Sequence, residues 1–379
     1  MDISIIATGY IVRIEWAPLE GWRPRKAGCN ARLEEHGQVV RPAIARVTAN
    51  DGSMGWGWSR MERGAAEALL GRPLAEACTP TGGIAEPYRV IEYPLLDLAG
   101  RRAGLPIYTL IDGKAEPLAV PCYDTSLYMD DLSLADDGAA AALIAEEARQ
   151  GLARGHRHFK IKVGRGAMHM ELEAGTRRDI LVIRAVREAV GPEARLMIDA
   201  NNGYNYNLAR RVLSETADVR LYWLEEPFHE DPRLYERLKT WMSAQGIETL
   251  IADGEGDASP RLLDYARDGL IDVVQYDVLR PGFSRWLELG PQLDAWGVRS
   301  APHHYGEPYG NYACGHLAAA IEGFQMVEWD EARVPELDAS AYRLSDGLVY
   351  LPQKAGFGLA LEENGFARAV SEKGFVVEV

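Results

Sequence analysis

The chain has 379 residues, 41 basic and 56 acidic, for a formal charge of −15. An apolar content of 47% and a charged content of 26% are ordinary for a globular protein and exclude a collagenous, disordered or disulfide-stapled chain. The length exceeds one compact core and suits a barrel of about 250 residues with one smaller domain; the acidity disfavours nucleic acid or an anionic membrane as partner.

Residues 1–8 carry no basic leader pattern, and no stretch reaches the roughly 18 apolar residues of a membrane span. Cys29, Cys78, Cys122 and Cys314 form no CxxC motif and are expected as buried thiols in a reducing compartment. A cytoplasmic protein is the expectation. Residues 11–16 and 43–48 read as strands, with a hairpin turn over 49–53 leading into Trp56-Gly57-Trp58. The intervening stretch 18–30, with Gly21, Pro24 and Gly28, reads as a mobile loop. Apolar spacing of three and four predicts helix over 63–70 and 88–103.

From residue 120 the pattern alternates short apolar strands with amphipathic helices. The strand-like runs are 120–123, 158–163, 196–199, 221–225, 250–255, 273–277, 298–303 and 326–328. Eight such units predict an α/β fold of the (β/α)8 barrel type. After residue 340 the β-rich pattern, including 345–352, is too short to fold alone and is expected to dock on the N-terminal block. The predicted division is an α+β cap at 1–119, a catalytic barrel at 120–339 and a segment at 340–379 completing the cap.

Seven of these runs carry an ionisable residue at their last position or, for Lys162, one before it: Lys162, Asp199, Glu225, Glu255, Asp277, His303 and Glu328. Their spacings of 22 to 37 residues are each about one βα unit, which carries all seven to the carboxyl end of the barrel, where barrel chemistry sits. Asp199, Glu225 and Glu255 offer three hard oxygen ligands, a set suited to Mg2+. Glu226 points to the other side of its strand from Glu225, and Asp253, two residues before Glu255, is expected to share the Glu255 side. Lys160 and Lys162 also share a side, and two adjacent ammonium groups are expected to depress at least one pKa, making Lys162 a general base. Asp277 and His303 end adjacent strands, where a carboxylate orients and charges an imidazole; His304 is the competing histidine.

Lys160-Ile161-Lys162, Ile198-Asp199-Ala200-Asn201-Asn202, Trp223-Leu224-Glu225-Glu226-Pro227, Ala252-Asp253-Gly254-Glu255, Tyr276-Asp277 and Ala301-Pro302-His303 together resemble the enolase superfamily, in particular its mandelate racemase subgroup. The resemblance implies a modified, enolase-like barrel with the α+β cap, Mg2+ on Asp199, Glu225 and Glu255, and Lys162 and His303 as bases on opposite faces of the substrate. It further implies that Lys160 adjusts Lys162 and touches the substrate carboxylate, that Asp277 supports His303, and that Glu328 is an acid hydrogen-bonded to the enediolate. A homo-oligomer is implied by resemblance only.

The chemistry implied is abstraction of the proton α to a carboxylate. Loss of a β-hydroxyl then gives an acid-sugar dehydratase acting on an aldonic or aldaric acid; reprotonation gives a racemase, epimerase or cycloisomerase. A non-catalytic carboxylate-binding relative is the reading from another class. Arg280 stands where the muconate-lactonising and dipeptide-epimerase subgroup needs a lysine, which disfavours a two-lysine mechanism. Residues 55–59 lack the glutamate that many relatives carry there. Candidate substrate contacts are Asn201, the basic stretch with Trp22, Arg23, Arg25 and Lys26, and Arg280, His304, Tyr305 and Glu307.

Overall fold

A computed structural model describes residues 3–79, 82–280 and 282–379; Met1 and Asp2 of the opening segment lie outside the described residues. The N-terminal block contains β1 (Ile11–Pro18), β2 (Gly21–Ala27), β3 (Gly37–Val40), β4 (Ala43–Ala49), β5 (Met54–Trp58), α1 (Arg63–Leu69), α2 (Glu92–Ala103) and α3 (Ile107–Asp112). β1, β4 and β5 pair antiparallel. The turn between β4 and β5 is closed by Gly52 N–H to Ala49 O at 2.9 Å and by the Asp51 carboxylate accepting from Ser53 N–H at 3.0 Å. Gly55 lets α2 lie directly on this sheet, because a Cβ there would stand 2.2 Å from Pro94 O.

The stretch expected as a mobile loop is instead strand β2, paired with β3 in a separate ribbon. Its Gly and Pro content concealed it, yet Pro24 is tolerated because a two-stranded ribbon has open edges. Alternate residues Gly21, Arg23 and Ala27 are buried.

The barrel follows: β6 (Ala119–Leu127), α4 (Asp137–Ala153), β7 (His158–Lys162), α5 (Leu172–Val190), β8 (Arg195–Asp199), α6 (Tyr206–Glu215), β9 (Trp223–Glu225), α7 (Pro232–Gln245), β10 (Leu250–Asp253), α8 (Leu262–Arg267), β11 (Val273–Val274), α9 (Phe283–Ala295), β12 (Arg299–Ser300), α10 (Tyr309–Gly315) and β13 (Val327–Trp329). β6 to β12 are parallel neighbours in order, and β13 pairs with β6. A bridge from Ser300 to Phe324 and the bond from Gln325 N–H to Ser300 O at 2.8 Å close the ring. Several strands are shorter than the predicted runs, since Glu255, Asp277 and His303 lie in the loops just beyond them. Tyr123, Met197, Trp223, Ala252, Val273, Ala301 and Met326 form one buried apolar cluster, and β7 adds Lys160, whose ammonium lies 5.4 Å from the centre of the Tyr123 ring.

The C-terminal segment holds β14 (Leu337–Asp338), β15 (Arg343–Ser345), β16 (Leu348–Tyr350), β17 (Ala360–Leu361), α11 (Glu363–Lys373) and β18 (Phe375–Glu378). β18 joins the N-terminal sheet beside β1. The β15–β16 hairpin does not, because it pairs antiparallel with β6 of the barrel. Cys122 and Cys314 are buried, whereas Cys29 and Cys78 are only partly so. No helix among the described residues is long and apolar enough to cross a membrane.

Glu92 ties the two parts together. Its buried carboxylate, on α2, accepts the backbone N–H groups of Phe283 at 2.9 Å and Ser284 at 2.8 Å, capping α9 of the barrel. Glu92→Ala leaves both donors without their partner and should cost about 1–3 kcal/mol of stability, measurable by denaturant unfolding. A loss below the scatter of the measurement would remove this joint from the account.

Candidate active site

The seven strand-end groups converge at one end of the barrel. Alternation along β7 turns both lysines inward. Lys160 is fully buried, with Nζ 2.7 Å from Glu225 Oε1, 3.1 Å from Glu328 Oε1 and 3.5 Å from Asp199 Oδ2. Lys162 Nζ donates to Asp199 Oδ2. Glu225 also accepts from Trp223 Nε1 at 2.9 Å and Gln275 Nε2 at 3.0 Å, while Asn201 Nδ2 donates to Glu255 Oε1 at 3.1 Å. His303 Nδ1 lies 2.6 Å from Asp277 Oδ1, and its Nε2 is 3.1 Å from Glu255 Oε2 and 3.6 Å from Glu328 Oε2.

Local backbone places these groups. Gly254, at φ +130°, breaks the strand alternation and swings Glu255 into the ring. Asp253 therefore does not share its side: its carboxylate accepts from Tyr235 of α7 and is not one of the three clustered oxygens. Asn201, Asn202 and Glu226 have φ of 41°, 60° and 42°, left-handed conformations that non-glycine residues adopt at a cost and that cluster at functional sites. Glu226 N–H bonds to Ala252 O at 3.0 Å, and its side chain meets Asn201 Nδ2 at 3.3 Å.

Charge balance overturns two expectations. Burial, the largest influence, and the adjacent Lys160 act to lower the Lys162 pKa, but Asp199, Glu255 and Glu225 together outweigh them and hold Lys162 above its ordinary value and charged. Burial acts to raise Glu328, yet Lys160, His303 and His304 hold it well below the carboxylate range. It is thus an acceptor, taking hydrogen bonds from Thr125 Oγ1 at 2.7 Å and His304 N–H at 3.1 Å, and not the proton-bearing acid expected. For His303, burial is overcome by Glu255, Glu328 and Asp277, and its pKa is pushed up to about 10. His304 is pushed down to about 4, chiefly by burial, and neither of its ring nitrogens has a hydrogen-bond partner.

Asp199, Glu225 and Glu255 bring one carboxylate oxygen each within 4.8 Å of one another. Three oxygen donors with no sulfur or imidazole among them fit a hard divalent cation. Glu255, the least buried of the three, leaves that position approachable.

A cavity of about 380 Å³ opens here, lined by Glu255 and His303 together with Arg23, Asn30, His36, Tyr128 and Tyr305. The structure brings Asn201, Arg23 and Tyr305 to the site. Arg23 is held by Asp330 at 2.8 Å, with its guanidinium 4.5 Å from the Tyr305 ring centre. Other candidate substrate contacts lie elsewhere. Trp22 is exposed in a cleft with Pro335 and Glu336, Arg25 is tied to Asp130 and Glu147, Lys26 pairs with Glu35, and Arg280 is exposed. Glu307 is engaged by Arg60 and by Trp58 Nε1 at 3.1 Å. His36 and Tyr128 escaped the sequence reading. His36 follows the stretch taken as a loop, and nothing in its spacing marks it. Its Nδ1 donates to Gly28 O at 3.0 Å, and its ring packs 4.8 Å from that of Tyr128.

The model of the enolase C-terminal domain-like family matches residues 143–365. The chain belongs to the enolase superfamily. Within that superfamily it is similar to the crystal structure of galacturonate dehydratase from Geobacillus sp. complexed with D-galacturonate and 5-keto-4-deoxy-D-galacturonate, at 49% identity and TM-score 0.95, covering 98% of this chain and 99% of that one. A mandelate racemase/muconate lactonizing protein from Geobacillus sp. Y412MC10, complexed with magnesium/tartrate, is 48% identical, with TM-score 0.97 and 98% of each chain covered. D-gluconate dehydratase of Thermoproteus tenax is 27% identical over 281 residues, 72% of this chain, which spans only 54% of that relative's length.

Glu255→Gln removes one charge from the carboxylate trio and should weaken Mn2+ binding roughly 100-fold, because ligand charge count tunes affinity at oxygen sites. Calorimetric titration measures it, and unchanged affinity would remove Glu255 from the donor set.

Proposed function

We propose that this superfamily member is an acid-sugar dehydratase. It would hold Mg2+ on Asp199, Glu225 and Glu255 and act on a uronate such as D-galacturonate, or on an aldonic or aldaric acid with the same arrangement of carboxylate and β-hydroxyl. The observation that carries the reading is the placement of Lys162 at the end of β7 and of the Asp277–His303 pair just beyond β11 and β12, well apart around the ring, with the three carboxylates between them. The likeness to galacturonate dehydratase over 98% of the chain supports the uronate. We read residues 120–339 as the catalytic part and 1–119 with 340–379 as its cap; the β1–β18 pairing supports this.

The bound cation would offset the charge of Asp199, Glu225 and Glu255, loosening the hold of Asp199 on the Lys162 proton, and would act as Lewis acid toward the substrate carboxylate. Lys162 Nζ, once neutral, takes the proton α to the carboxylate. Lys160, an ammonium buried beside this position, offers a fixed positive charge to the developing negative one. His303, charged and held by Asp277, gives a proton to the β-hydroxyl as the C–O bond breaks, and water leaves. The resulting enol gains a proton at the β-carbon and becomes the α-keto acid. Arg23 and Tyr305 at the cavity wall would read the sugar hydroxyls.

Incubation with D-galacturonate and Mg2+, followed by proton NMR in D2O, should show one keto product per substrate consumed. Lys162→Ala and His303→Ala should each lower kcat by about 10²- to 10⁴-fold. Exchange of the α-hydrogen without keto product would instead favour a racemase, epimerase or cycloisomerase. Absence of both, across a panel of acid sugars, would overturn the proposal. Tyr305 Oη lies at the cavity wall with only the Tyr128 hydroxyl near it, so Tyr305→Phe should raise KM about tenfold, the worth of one hydrogen bond; an unchanged KM would show that the hydroxyl does not meet substrate.

A further inference from the structure

A second group of metal-ligating side chains stands away from the strand-end ring. Cys29 and Glu34 from the segment between β2 and β3, and His169 from the turn between β7 and α5, bring one ligand atom each within 4.8 Å of one another. None of the three lines the active-site cavity. We propose that Cys29, Glu34 and His169 form a Zn2+ site that staples the β2–β3 loop of the cap to the barrel.

Four observations support it. The donor set of thiol, imidazole and carboxylate is the mixed sulfur, nitrogen and oxygen set that zinc selects, unlike the all-oxygen trio of the active site. Tetrahedral zinc separates such ligand atoms by about 3.3–3.6 Å; Cys29 Sγ and Glu34 Oε2 already stand at 3.9 Å, so side-chain rotation alone closes the difference. His169 Nε2 lies 2.7 Å from Asn30 O. A carbonyl only accepts, so Nε2 carries the hydrogen and Nδ1 is the nitrogen left to take a metal, with the Asn30 carbonyl as the outer-sphere partner that a metal-bound histidine commonly has. Both arms are also held in place before any ion arrives. Asn30 Oδ1 accepts from Arg32 N–H at 2.9 Å and Leu33 N–H at 2.8 Å, and His169 N–H bonds to the carbonyl of Arg165, whose side chain is fully buried between Asp131 and Asp179.

Burial, then Glu34, Glu35 and Asp130, hold the Cys29 thiol above its ordinary pKa; the same negative surroundings attract a cation. Zinc binding exchanges the thiol proton, released to solvent, for a Zn–S bond, with water as fourth ligand. The consequence lies in the loop. Asn30, Leu33 and His36 line the active-site cavity, and Ala31 is pressed against Gly164 and Gly203, where an added Cβ would stand 2.8 and 2.5 Å from the Ala31 Cβ. Zinc would hold this part of the cavity wall shut.

The site does not depend on the proposed reaction, and its test does not read activity. Chelator-treated protein, saturated with Mg2+ to fill the oxygen site, is titrated with Co2+. A thiolate-to-cobalt charge-transfer band should saturate at one equivalent, vanish on adding Zn2+, and be lost in Cys29→Ser and in His169→Ala; Glu34→Gln, at an exposed position, should weaken it with the fold intact. Trypsin cleavage after the exposed Arg32 should slow about tenfold at ten times the zinc dissociation constant, in the wild type but not in Cys29→Ser. No band in the wild type, or a band that survives His169→Ala, overturns the site. An unchanged cleavage rate with the band present overturns the staple.

Discussion

Every feature of the active-site end follows from the need to hold three carboxylates within 4.8 Å. At that spacing each ionised pair would repel by about 3–4 kcal/mol at an effective dielectric near 20, so three charged pairs together would rival the net stability of a typical domain, and burial with Asp199 pushes Glu225 up to about 8. Burial deepens the problem, since Asp199 and Glu225 are almost wholly removed from water. The protein answers with Lys160 and Lys162 from the next strand and with His303 across the rim. Barrel geometry makes this possible, because parallel strands in register deliver successive strand-end residues to one ring.

The same balance sets the protonation states. The lysines and His303 are held charged by the carboxylates, and Glu328 is held ionised by Lys160 and His303. A cation among the carboxylates competes with those ammonium groups for the same oxygens. The cap contributes a different chemistry. Its β2–β3 ribbon brings Arg23, Asn30 and His36 over the rim, and Glu92 and β18 fasten the surrounding block through buried hydrogen bonds and a shared sheet. The barrel thus presents charge, and the cap closes the space in which it acts.

Much of this was legible in the residues. Strand-end acids and bases recurring at one βα spacing marked the barrel, its reactive end and the ring members together. What escaped was decided by backbone and environment. Gly254, at positive φ, resets the alternation and sends Asp253 and Glu255 apart. The like-charge argument for Lys162 counted its lysine neighbour but not Asp199, which approaches from another strand. The ribbon of β2 and β3 was hidden because Gly21, Pro24 and Gly28 read as loop, and His36 and Tyr128 meet only in the tertiary fold. The basic stretch was read as one unit, yet β-alternation turns Arg23 inward to Asp330 and leaves Trp22 in solvent.

The central claim is that the carboxylate trio is built for a divalent cation and that the lysines hold its place. Anomalous diffraction from crystals grown with Mn2+ tests this most directly. The account predicts one strong peak between Asp199, Glu225 and Glu255, with Lys162 Nζ withdrawn from Asp199. A peak centred on Asp253 or Glu226, or the Lys162–Asp199 contact intact beside a fully occupied metal, would contradict it.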